Sequence, residues 1–92
     1  MYKSTWKDRY LLAISEEIST KEIMILRDVS RNRALTIRQE AVKYSIKNGV
    51  TITGNKIPTE SVLAVTGHNI AFYEEKMKLE QKANNEVNHA SV

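Results

Sequence analysis

The pattern of apolar positions at the start of the chain is that of a helix. Apolar residues lie four apart from Trp6 to Ile14, directly after Thr5, which begins a capping-box pattern. This arrangement predicts a helix over residues 6–15. Residues 9–14 are also compact and apolar enough to form a short strand, and the spacing alone leaves both alternatives open.

A complete capping box, S-x-x-E, begins at Ser19 and predicts a helix over residues 20–27. The isoleucines on either side of its first turn occupy the positions of a hydrophobic staple. This helix must end at Asp28, since aspartate tolerates the left-handed conformation and Ser30 is suited to cap a further helix.

A third helix is predicted over residues 31–47, because apolar side chains spaced three and four apart form one stripe from Ala34 to Tyr44. Asn48 and Gly49 are residues that commonly end a helix. The expected helix is amphipathic, with one apolar face and one polar face.

The residues after this helix alternate between apolar and polar side chains. Residues 50–53 read Val-Thr-Ile-Thr, Gly54 and Asn55 can turn, and Lys56 and Ile57 can pair back. This segment predicts a small β-hairpin.

Two more helices are predicted in the last third of the chain. Pro58 suits the first turn of a helix over residues 59–66, which Gly67 ends. A last helix, over residues 69–82, has one apolar face, and the pattern leaves open whether that helix caps the domain or pairs with a second copy. The sequence is then polar without apolar periodicity, which predicts a flexible tail over residues 83–92.

Positive charge is concentrated in the middle third of the chain. The net charge of the 92 residues is +3, and residues 27–56 alone carry seven Lys and Arg against two Asp and Glu. Residues 1–26 sum to zero and residues 57–92 to −2. A polyanion would be drawn to the basic third.

The composition argues against several classes of protein. The chain has no cysteine, and His68 and His89 have no second ligand nearby, so we expect no metal site. No nucleophile with a base, carboxylate pair or phosphate-binding glycine loop is evident, so we expect no catalysis, no cofactor and no small-molecule substrate. Because no apolar run approaches membrane-spanning length, we expect one cytoplasmic domain with no membrane partner.

The two helices around Ser30 meet the requirements of a helix-turn-helix: apolar inner faces, a tight turn, and long polar side chains at the start of the second helix. Residues 22–37 resemble the motif of bacterial helix-turn-helix regulators. Met24 stands where that family prefers a small residue, and Asp28 where it prefers glycine. The expected inner set is Ile23, Leu26, Val29, Ala34 and Ile37.

Residues 49–60 extend the resemblance to winged forms, especially excisionase-like proteins of phages and conjugative elements. In those proteins a short basic hairpin and a helix entered through an Ile-Pro-like step follow the recognition helix. The resemblance implies a mainly α winged helix-turn-helix domain with a small β-hairpin wing over residues 1–82. It also implies sequence-specific binding of double-stranded DNA by a small phage, plasmid or mobile-element protein: an excision factor, a transcriptional regulator or a transfer-origin accessory protein.

The motif also implies which side chains meet DNA. Arg31, Asn32 and Thr36 are expected at base edges, where Arg can bond guanine and Asn adenine in pairs of hydrogen bonds. Ser30 is expected at the interface as the cap of the recognition helix. The side chains expected to hold phosphates are Lys21, Arg33, Gln39 and Lys43, and those expected on the wing are Thr51, Thr53, Asn55 and Lys56.

A second interpretation is that the helix-turn-helix serves protein contact only, with a host or element protein as the partner. That class would tolerate loss of Arg31 and Asn32, whereas a DNA-binding protein would not. A single copy covers few base pairs, so a homodimer or a cooperative array on repeated sites is a further expectation. The pattern leaves the target sequence and the process served open.

Overall fold

The computed structural model describes residues 4–90, and the side chains of residues 4–84. This part of the chain is mainly helical, with a small two-stranded antiparallel sheet. A mainly α fold with a small β component is what the sequence predicts. The elements in chain order are α1 (Trp6–Ala13), β1 (Glu17–Ile18), α2 (Thr20–Arg27), α3 (Arg31–Lys47), β2 (Ile57–Pro58), α4 (Thr59–Thr66) and α5 (Ile70–Ala90).

The first helix begins as its capping pattern predicts. The Thr5 hydroxyl accepts a hydrogen bond from the backbone N–H of Asp8, and the Asp8 carboxylate accepts one from the N–H of Thr5. The helix ends at Ala13, two residues sooner than predicted, and the backbone N–H and the hydroxyl of Ser15 both donate to the Leu12 carbonyl just past that end. The strand alternative for residues 9–14 is therefore wrong.

The bounds of α2, α3 and α4 are those predicted from the sequence. Ser19 and Glu22 form the expected reciprocal capping box at the start of α2. Ile18 and Ile23, the staple residues, are both fully buried. Gly67 ends α4 in the left-handed conformation (φ 79°). Local signals at the helix ends thus set the bounds of these three elements.

The two strands are distant in sequence and pair antiparallel, with Ile18 opposite Ile57. The predicted hairpin of residues 50–53 with residues 56–57 is therefore wrong: in the described chain β2 pairs with β1, and residues 50–56 form a loop. Burial explains the difference. The observed pairing puts two isoleucines into the core, whereas an isolated two-stranded hairpin is marginal in water.

Polar contacts join the helices around one apolar core. Ser45 of α3 and Ser61 of α4 are both buried and hydrogen-bond each other, so neither hydroxyl lacks a partner. The Glu80 carboxylate of α5 accepts hydrogen bonds from the N–H groups of Trp6 (3.0 Å) and Lys7 (3.3 Å). A carboxylate at the first turn of α1 also complements its dipole. These contacts hold α4 against α3 and α5 against α1.

The last helix continues past its predicted end at residue 82 to Ala90. The prediction of a tail from residue 83 is therefore wrong as to its start, and residues 91–92 lie outside the described residues. The added segment contains neither Gly nor Pro, so the backbone conformation can continue without an apolar face to direct it. No described helix combines the length and the apolarity needed to cross a membrane.

Candidate nucleic-acid interface

A tight turn joins α2 to α3. Asp28 adopts the left-handed conformation (φ 52°, ψ 55°), as predicted, and in the described chain it is the one residue other than glycine to have a positive φ. The Ser30 hydroxyl accepts a hydrogen bond from the N–H of Arg33 (3.4 Å) and caps α3. Three residues therefore separate the two helices.

The apolar side chains between these helices pack as predicted. Ile23, Leu26, Ala34 and Ile37 are at most 5% exposed, and Val29 packs partly buried against them. Met24, which departs from the pattern of helix-turn-helix regulators, also packs against the core. With its inner face buried in this way, α3 presents its opposite face outward.

The outer face of α3 is a polar strip. The buried side chains of α3 are Ala34, Ile37, Ala41 and Ser45. At about 100° per residue, the residues opposite that stripe are Asn32, Thr36, Gln39 and Lys43. All four are exposed. We call these four residues the outer strip; it begins in the first turn of α3 and runs along three turns.

Cationic side chains flank the outer strip on both sides. Arg31 and Arg38 lie on one flank in helical projection, and Arg33 lies on the other. The side chains of Arg31, Arg33 and Lys43 are exposed, and in the described chain no hydrogen bond or ion pair holds the charged group of any of them. The cations of α3 are therefore available to an external anion.

Arg38 has a different role from its neighbours. Its Nη2 donates to the carbonyl of Asn55 (3.2 Å), so the loop over residues 50–56 is fastened to the side of α3. Sequence analysis missed this residue, because a contact with a loop leaves no trace in helical periodicity.

The loop beside α3 presents the predicted wing residues to solvent, although it is not a hairpin. Ile52 is its partly buried anchor against the core. The exposed side chains are Thr51, Thr53, Asn55 and Lys56. Lys21 is exposed as well, but it lies in the first turn of α2, at the end of that helix away from the turn. The contact of Asn55 with Arg38 thus places this loop beside α3.

The first turn of α3 is electrostatically unusual. Asp8, Glu22 and Glu60 lie in the first turns of α1, α2 and α4, where a negative charge complements the helix dipole. The first turn of α3 has no acidic residue and carries Arg31 and Arg33 instead. Each cation there costs about 0.3–1 kcal/mol. Fold stability does not explain this arrangement, whereas binding of an anion would.

Two features of the outer face of α3 were not anticipated. Leu35 is 36% exposed and lies beside the outer strip, three residues after Asn32 and four before Gln39. The Thr36 hydroxyl donates to the carbonyl of Asn32 (3.2 Å), so its proton is used within the helix. A projection of α3 onto a helical wheel would have found Leu35, whereas the hydrogen bond of Thr36 requires the structure.

A second group of cations lies behind the turn. Arg9 Nη2 is 3.7 Å from the Asp28 carboxylate, and the Arg9 guanidinium lies 4.5 Å from the centre of the Trp6 ring. Lys76 Nζ lies 5.7 Å from the centre of the Phe72 ring. These cations are held by a carboxylate and by aromatic faces.

Arg27, in the last turn of α2, completes this group. Its Nη1 hydrogen-bonds Nδ1 of His68, whose ring stacks on Phe72 at 3.9 Å. Burial, and secondarily the charge of Arg27, lowers the pKa of His68 from its usual 6.5. Neutral His68 can accept the hydrogen bond of Arg27, so the contact ties the end of α2 to the residues before α5.

Two other features bear on partners. In the described part of the chain no three His, Asp or Glu side chains come together to hold a metal ion. A groove of about 560 Å³ lies between α3, α4 and α5, lined by Tyr44, Leu63, Ala64 and Ile70 among others. Tyr44 and Ile70 are 40% and 42% exposed, so this groove offers an apolar surface.

Comparisons of the chain with protein-family models, with curated proteins and with solved structures found no match. Function is therefore inferred from the geometry and charge of α3 and of the loop beside it.

Proposed function

We propose that the protein binds double-stranded DNA in the manner of a winged helix-turn-helix, with the outer face of α3 in the major groove. The observation that carries this proposal is the pair of unpartnered arginines, Arg31 and Arg33, in the first turn of an exposed helix that follows a tight turn. The loop over residues 50–56 takes the place of the wing and touches the neighbouring backbone.

The positions of the side chains on α3 support a different role for each group of them. Asn32 and Gln39 lie in the outer strip and face the base edges, where carboxamides bond adenine. Arg31 and Arg33, on the flanks, meet the phosphates on the two sides of the groove. This assignment moves Gln39 from the phosphates to the bases, and Arg31 from the bases to the phosphates, relative to the expectation from the motif.

A small protein with this surface acts by occupying or bending a DNA site. Excision, regulation of transcription and assistance at a transfer origin are all served by such binding. A dimer or a side-by-side array would lengthen the bound site, because one copy covers few base pairs.

A second candidate function is contact with a protein partner. The apolar groove at Tyr44 and Ile70 supports it, because exposed apolar surface of that kind marks interaction sites. The two functions use different faces, so variants separate them. Tyr44→Ala should abolish a protein contact and leave DNA affinity unchanged.

The test of DNA binding is selection from a pool of randomised duplexes, followed by titration of the enriched sites. Asn32→Ala should reduce discrimination between sites by about 1–3 kcal/mol, whereas Lys43→Ala should weaken all sites alike. Lys82→Ala, which removes an exposed cation of α5, is the matched control and should bind as the wild type does. Failure to enrich any duplex, or full affinity in both α3 variants, would contradict the proposal.

A further inference from the structure

The first half of the outer face of α3 carries one large apolar side chain among its polar residues. Leu35 is 36% exposed, three residues after Asn32 and four before Gln39, so the three side chains form a continuous surface. The side chain of Thr36 adjoins this surface, and its hydroxyl proton is already bonded to the carbonyl of Asn32. The first half of the outer face therefore offers two carboxamides with an aliphatic group between them.

These groups match one kind of base pair. A carboxamide can bond N6 and N7 of adenine together, and aliphatic groups contact the C5-methyl of thymine, which no other DNA base carries in the major groove. Leucine offers no hydrogen bond to guanine or cytosine, whose exposed polar edges it would desolvate.

The spacing of the side chains sets the length of the site. Asn32 and Gln39 are seven residues apart, about 10.5 Å along a helix axis, which corresponds to about three base-pair steps of 3.4 Å. Leu35 lies between them, within reach of the intervening pairs.

We infer that α3 recognises A·T pairs, and that Leu35 determines this specificity by contacting a thymine methyl group between two adenines bound by Asn32 and Gln39. This inference rests on the proposed DNA binding and specifies the class of site. Arginine side chains that contact base edges would confer a preference for guanine. We do not expect that preference here, because Arg31 and Arg33 lie on the flanks of the strip.

The experiment uses the difference between thymine and uracil, which is one methyl group. Duplexes are first selected from a randomised pool by the wild-type protein. Each thymine of the enriched site is then replaced singly by deoxyuridine, and affinity is measured by fluorescence anisotropy. Burial of a methyl group is worth about 0.8 kcal/mol, which corresponds to about fourfold in affinity. At one or two positions of the site, the single replacement of thymine by uracil should therefore weaken wild-type binding about fourfold.

Two variants of the protein test whether Leu35 is the side chain that contacts the thymine methyl group. Leu35→Ala should bind thymine and uracil duplexes equally. Ile46→Ala, which removes another exposed aliphatic side chain from the end of the same helix, should retain the fourfold difference. Thermal unfolding of both variants checks that the fold is intact, as expected for exposed positions.

The outcomes separate the inference from the proposed function. Enrichment of G·C-rich sites, or tight binding that is indifferent to every uracil replacement, would overturn the inference and leave DNA binding standing. Retention of the uracil effect in Leu35→Ala would overturn it as well, by assigning the methyl contact to another residue. If no duplex is enriched, both the inference and the proposed function are wrong.

Discussion

Two groups of cationic side chains in this small domain have opposite surroundings. The interface cations are Arg31, Arg33 and Lys43, on α3; the rear cations are Arg9, Arg27 and Lys76, behind the turn. Each rear cation contacts a carboxylate, an imidazole or an aromatic ring. The charged group of none of the interface cations has a hydrogen bond or ion pair with the described residues, and two of these cations oppose the dipole of their helix. The comparison separates charges that make contacts within the fold from charges that do not.

The largest expected effect comes from reversing two interface cations. Arg31→Glu with Arg33→Glu should lower DNA affinity about a hundredfold, because two phosphate contacts become repulsive. The free energy of unfolding should rise by about 1 kcal/mol, since the first turn of α3 then complements its dipole. DNA titration and urea unfolding measure the two quantities.

The control for this variant is Lys82→Glu, which reverses an exposed charge on α5 and should affect neither quantity by as much. Unchanged DNA affinity in the double variant would break the distinction between the two groups of cations, and a loss of stability would show that the arginines serve the fold.

The next effect comes from the rear cations. Arg27→Ala removes the donor to His68 and the packing of the Arg27 side chain, so we expect the unfolding free energy to fall by about 2 kcal/mol. DNA affinity, measured where the variant is fully folded, should stay near that of the wild type. A tenfold loss of affinity without loss of stability would instead place Arg27 in the interface.

A smaller effect is expected at the turn between the helices. Asp28→Val should lower the unfolding free energy by about 1–2 kcal/mol, because a β-branched residue is strained in the left-handed conformation. Asp28→Gly is the matched variant and should be at least as stable as the wild type, since the exposed contact with Arg9 contributes little. Equal stability of the valine and wild-type proteins would contradict the turn geometry.

The smallest expected effect is a dependence of stability on pH. Burial lowers the pKa of His68 below 6.5 in the folded protein, so the unfolded chain takes up its proton first as the pH falls. The contribution of neutral His68 to stability is therefore complete above pH 6.5 and declines below it. His68→Phe keeps a ring on Phe72 but cannot titrate. Urea unfolding between about pH 7.5 and 5.5 should show a steeper decline in the wild type.

The two helices α2 and α3 and the turn between them could be predicted from the sequence because their signals are local. Ser19, Asp28 and Ser30 act on the backbone within a few residues of themselves, so the bounds of α2 and α3 follow from residue type. The exposure of α3's outer face also follows, since its buried stripe repeats at three and four residues. Binding of DNA by that face stays a prediction.

The segment after α3 could not be predicted in the same way. Val50 to Ile57 carry the alternation and turn residues of a hairpin, and locally the hairpin is reasonable. Ile57 instead pairs with Ile18, because the partner that buries both side chains lies far away in the sequence. The contact of Arg38 with Asn55 is long-range too, and neither residue type nor periodicity reveals it.

The most direct test of the central claim is the salt dependence of binding to a selected duplex. With about four phosphate contacts, a plot of log affinity against log salt concentration should have a slope near −3.6, and removal of one interface cation should make it shallower by about one. Replacement of the rear cation Arg27 should leave the slope unchanged. A wild-type slope near zero, or one that Arg31→Ala, Arg33→Ala and Lys43→Ala all leave intact, would contradict DNA binding through α3.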